Sequence, residues 1–160
     1  MLTGALAFIA VACATNDDEP IVRSFDPCTL VVAPEAELEA HELASIQEAI
    51  DMWHSAAGTR ATVGKESDEA RRLEVRFDDA PAAFRGLYDD ERGIVFINRD
   101  LPSARARSIT VAHELGHAFG LLHVDPDERT SLMNPDNVDV PPTPDDARAV
   151  HALWGRCADR

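Results

Sequence analysis

The chain has 160 residues, 45% of them hydrophobic, which suits one domain with a packed core. Its 29 acidic and 15 basic side chains leave a net charge of −14. That imbalance excludes nucleic acid, whose phosphates need a basic surface, and electrostatic docking on anionic lipid; the bland reading is a soluble, self-repelling surface and a monomer.

In chain order, residues 2–12 come first as an apolar run too short to span a bilayer. The run reads as the core of an export signal that lacks the usual basic leader. Ala10-Val11-Ala12 before Cys13 resembles a bacterial lipoprotein cleavage site, with Cys13 as the lipidated residue. Cleavage after Ala14 is the alternative. Residues 1–13 are thus expected to export the chain to the cell envelope or beyond. Residues 14–27 are expected to form a polar tether, and 28–160 the folded domain. A lipid anchor would be its one link to a membrane.

A β-rich stretch from Cys28 to Ala33 is expected to open a sheet. Leu43, Ile46, Ile50, Trp53 and Ala57 alternate spacings of three and four, which predicts an amphipathic helix over 35–57 ending at Gly58. Leu73 to Phe77 alternates apolar and charged residues, as a half-buried strand does. Gly86–Tyr88 and Ile94–Ile97 flank a polar turn and read as a hairpin. Asp78-Asp79 and Asp89-Asp90-Glu91 offer acids for calcium, but neither has a known loop spacing. Ser103, after Pro102, is a suitable N-cap for the next helix.

That helix carries His113-Glu114-Leu115-Gly116-His117-Ala118-Phe119-Gly120-Leu121-Leu122-His123, an H-E-x-x-H-x-x-G-x-x-H pattern. Residues four apart lie one turn above each other, so His113 and His117 present two nitrogens on one face. Glu114 lies on the flank of that face, within reach of a water on the metal. Gly120 can end the helix in the left-handed conformation, letting His123 approach from another direction. Three imidazoles leave a fourth position for water, the mark of a catalytic rather than a structural zinc site. His41, His54 and His151 have no ligand spacing and are expected in packing or at the surface.

Downstream stand Ser131-Leu132-Met133-Asn134-Pro135 and then a closing helix. Thr143 is its N-cap, Pro144 its first residue, Asp145 and Asp146 suit its positive start, and Gly155 ends it. Ala147, Val150, Leu153 and Trp154 give it a core-facing stripe.

The three-histidine motif followed by S-x-M-x-P resembles the metzincin clan of zinc peptidases. The early Trp-bearing helix and the final helix are similar to those of matrixin-like members. Val124 after the third histidine, and the lack of a tyrosine two places after Met133, fit no named subfamily. The resemblance implies an α+β, zincin-like fold. It comprises a small twisted, mostly parallel sheet, an early helix, a zinc-binding active-site helix, and a C-terminal helix after a turn that sets Met133 beneath the metal. It implies a zinc metalloendopeptidase in which His113, His117 and His123 hold one Zn2+, Glu114 serves as catalytic base, and proteins or peptides are the substrates. It further implies an edge strand above the cleft, here expected at Ile94–Asn98, and a specificity wall within Pro135–Thr143. The alternative is an exported lipoprotein that binds metal or a partner without catalysis.

Beyond Cys13, the remaining cysteines, Cys28 and Cys157, bracket the domain and could pair in an oxidising compartment. The alternative for Cys28 is a thiolate that caps the zinc.

Overall fold

The computed structural model describes residues 21–160; Cys13, the export segment and the first part of the expected tether lie outside them. Five strands and three helices form an α+β domain: β1 (Val31–Pro34), α1 (Ala40–Ala57), β2 (Thr62–Val63), β3 (Arg72–Asp78), β4 (Gly86–Asp89), β5 (Ile94–Asn98), α2 (Ala104–Ala118) and α3 (Pro144–Trp154). A 3-10 turn, Cys157–Asp159, follows. The sheet order is β2-β1-β3-β5-β4. The β1–β2, β1–β3 and β3–β5 pairs are parallel and β4–β5 is antiparallel.

Alternation decides the faces of the sheet. Leu73, Val75 and Phe77 of β3 point into the core, together with Val95 and Ile97 of β5. On the opposite face Glu74 accepts from Arg72 and Arg76, and the guanidinium groups of Arg76 and Arg92 lie over the Phe96 ring. The helices seal the first face. Trp53 is fully buried, donates its indole N–H to the Ala112 carbonyl at 2.8 Å, and meets the Phe119 ring edge-on. This one side chain therefore ties α1 to the end of α2 that bears the motif.

The helix ends follow local chemistry. The Glu42 carboxylate accepts from the Glu39 main-chain N–H at 2.8 Å, which starts α1 at Ala40 rather than at 35. Gly58, at φ 65°, closes it. Leu43 and Leu153, expected in the core, are exposed. The two-residue strand β2 was not foreseen; it carries too few residues to show a period.

Two boundaries differ from expectation. The chain is already packed from Ile21 rather than tethered through Pro27. Phe25 is buried and its N–H donates to the Ala118 carbonyl at 2.7 Å, while the Tyr88 hydroxyl donates to the Arg23 carbonyl. In addition, Ile94–Asn98 is not an edge strand. It lies between β3 and β4, so the edge on that side is β4. The hairpin returns outward, and β5 keeps the parallel partner that its more apolar sequence favours.

Cys28 and Cys157 form a disulfide, with Cα atoms 5.3 Å apart. This pairing excludes Cys28 as a free thiolate at the metal site in this state. Arg160 strengthens the same corner by donating to both carboxylate oxygens of Asp26.

Candidate metal centre

Ser103 caps α2 by accepting from the Ala106 N–H at 3.0 Å, and the helix runs to Ala118. It stops by two main-chain bonds, Gly120 N–H to the His117 carbonyl and Leu121 N–H to the Gly116 carbonyl, with Gly120 at φ 95°. That pair of bonds is the Schellman arrangement, in which a left-handed residue lets the chain fold back over the last turn. The reversal brings His123 to the two helix histidines. Its Nε2 lies 3.2 Å from His113 Nε2 and 3.2 Å from His117 Nε2.

Hydrogen bonds on the far side of two rings fix which nitrogen faces inward. His113 Nδ1 lies 2.8 Å from the Leu132 carbonyl and His117 Nδ1 lies 2.8 Å from the Leu121 carbonyl. A carbonyl can only accept, so each Nδ1 carries the proton and each Nε2 presents a lone pair. A tetrahedral ion with nitrogen arms of about 2.0–2.1 Å needs nitrogens about 3.3–3.4 Å apart. The observed 3.2 Å spacings meet that demand. Among the described residues, these three histidines form the one group of such side chains able to share an ion. The donor set suits zinc and is compatible with other divalent ions. Asp89 and Asp79 instead face arginines, Arg92 and Arg99.

No family model and no curated protein matches this sequence.

Electrostatics favour the ligand form of the site. Burial pushes the His113 pKa down to about 4; its neighbour His123 acts in the same direction, while the Leu132 carbonyl opposes. A neutral imidazole is what a metal requires. Burial pushes Glu114 up to about 8, against a downward pull from the Tyr88 main-chain N–H. A carboxyl poised near neutrality can both accept and return a proton.

The methionine segment packs against the helix that carries His113 and His117. The fully buried Met133 side chain lies against Gly116, one residue before His117. Val124 donates its N–H to the Met133 carbonyl at 3.0 Å, binding the loop after His123 to this turn. Gly116 has a steric reason to be glycine: an added Cβ would overlap Met133 Sδ and lie 3.3 Å from Trp53 Cζ2. Alanine ordinarily gains about 1 kcal/mol over glycine in a helix. Here Gly116→Ala is expected to destabilise the fold by about 1–3 kcal/mol through overpacking, read by chemical denaturation. A variant as stable as the parent would show that Met133 can move aside.

Sequence reasoning noted Asp146 for its charge at a helix start, but its larger role is elsewhere. Asp146 is 1% exposed. Its Oδ2 accepts from the Leu132 N–H at 3.0 Å, from the Thr143 N–H at 2.8 Å and from the Thr143 hydroxyl, while Oδ1 accepts from the Ser131 hydroxyl. Leu132 is the residue whose carbonyl orients His113, and Asn137 Nδ2 donates to that carbonyl too, at 3.0 Å. The last helix therefore reaches one histidine of the candidate site through a single residue, Leu132, whose N–H it holds and whose carbonyl meets the ring. The available signal was the serine two residues before Met133 together with an acid at the third position of the final helix.

His54 and His151 sit outside the site, bonded to the Thr59 and Ala57 carbonyls, and His41 is exposed beside Glu39.

Proposed function

We propose that this chain is a zinc-dependent endopeptidase of metzincin type, exported from the cytoplasm. The observation that carries the reading is the convergence of three imidazole Nε2 atoms beside a buried carboxyl on the same helix. The Met133 turn and the order of elements support the clan. The disulfide supports an oxidising compartment.

Zinc bound there supplies Lewis acidity for water activation and carbonyl polarisation. His113, His117 and His123 hold and orient the ion. Glu114 takes the proton of the attacking water and delivers it to the leaving amine. The β4 edge has no further strand beside it among the described residues, so an extended peptide can add there with main-chain hydrogen bonds.

The expected result is one zinc per chain and cleavage of a mixed fluorogenic peptide library. Removal of zinc with 1,10-phenanthroline should abolish cleavage, and equimolar zinc should restore it. Cleavage that persists in fully metal-free protein would overturn the reading. Stoichiometric zinc with no cleavage of any library member would favour the non-catalytic binding protein.

A further inference from the structure

The first residue of the edge strand, Gly86, sits directly against the proposed base. A Cβ built there would lie 2.8 Å from Glu114 Oε1, 3.1 Å from Glu114 Cγ and 2.9 Å from Thr110 Cγ2. The two obstacles differ in stiffness. Thr110 is buried and β-branched, and its hydroxyl donates to the Ala106 carbonyl at 2.9 Å, so its methyl is locked in one rotamer. The Glu114 carboxylate is the far end of a flexible side chain. Anything larger than hydrogen at position 86 would therefore displace the carboxylate, the softer of the two, while also pressing on the Thr110 methyl.

We infer that Gly86 is a positioning residue for Glu114: the bare backbone of β4 forms the wall against which the carboxylate rests. The strand acts on the base at two places, since the Tyr88 N–H is also directed at the Glu114 side chain. The edge strand thus sets the location of the base as well as offering main-chain groups to substrate. The inference rests on the proposed role of Glu114. It assigns a reason for glycine at a position with an extended backbone, where conformational freedom is not needed.

The test compares Gly86→Ala, Glu114→Gln and the double variant Gly86→Ala/Thr110→Ser in zinc-loaded protein. Thr110→Ser removes the stiff methyl and keeps the hydroxyl, giving the new Cβ room on the helix side. Gly86→Ala is expected to lower kcat at least tenfold while KM and zinc affinity stay near the parent's, with a fall in melting temperature from the contact with the Thr110 methyl that Thr110→Ser relieves. The Tyr88 amide resonance should move in Gly86→Ala as it does in Glu114→Gln, a readout that needs no turnover. The double variant should recover a substantial part of both signals. If Glu114→Gln is inactive while Gly86→Ala keeps parental kcat and an unmoved Tyr88 amide, the positioning role is overturned. It is equally overturned if Gly86→Ala loses stability and zinc along with activity and the serine rescues none of them. Full activity in Glu114→Gln would instead remove the base assignment itself.

Discussion

Glu114→Gln is expected to lower peptide turnover by about 10²–10⁴-fold, the usual worth of a positioned general base. Zinc should remain bound with unchanged stoichiometry, because the three imidazoles and the carbonyls that orient His113 and His117 are untouched. His117→Ala makes the contrast: it removes a ligand and should lose the metal and the activity together. The amide keeps the volume of the acid, so cavity effects do not cloud the comparison. The same substitution has a signature in the metal-free protein. Folding raises the Glu114 pKa from the ordinary 4.5 to about 8. The unfolded chain thus ionises first as pH climbs, the folded state binds the extra proton, and stability falls between those two values. Glu114→Gln abolishes that slope, and denaturation of both proteins at pH 5 and pH 8 measures it. A variant that keeps parental turnover would end the assignment of Glu114 as base.

Asp146→Ala is the second large effect. It strands the Leu132 N–H and the Ser131 hydroxyl, both in buried residues, and removes the half of the α3 capping box that holds the Thr143 N–H. Each unpaired buried donor costs about 1–3 kcal/mol, and the lost half of the capping box up to about 1 kcal/mol more. A loss of about 3–5 kcal/mol is expected, seen as a fall in melting temperature of about 10 °C or more. Zinc affinity should fall by about 10–100-fold, since Leu132, whose carbonyl orients His113, keeps only the Asn137 amide as a hold. Asp146→Asn keeps one acceptor and should show a smaller change in both measurements. A melting temperature within about 2 °C of the parent, with zinc affinity intact, would show that the turn holds itself without the carboxylate.

These two residues mark where the sequence was legible and where it was not. The histidine pair, its glycine stop and the third histidine are local: helix geometry and one left-handed residue determine where they go, so spacing alone brings them together. The caps at Ser103 and Thr143 are readable for the same reason, each acting within three residues. Asp146 works across 14 residues, on a turn to which no periodicity links it. Gly86 acts on Glu114 across 28 positions, and a lone glycine opening a short strand carries no label of what it faces. The rank of β5 inside the sheet depends on pairing with β3, a long-range choice that the alternation of β5 itself does not encode. The packed start at Ile21–Pro27 was hidden because the acidic run Asn16-Asp17-Asp18-Glu19-Pro20 directly before it reads as a linker, while Phe25 anchors it.

The Cys28–Cys157 bridge turns the folded part of the chain into a closed loop spanning 129 positions of sequence. A cut anywhere inside that ring, such as in the exposed Asp125–Thr130 segment, opens the circle without releasing a fragment. Self-digestion would then be invisible on a gel run without reductant, and would appear as two pieces only once the sulfurs are separated.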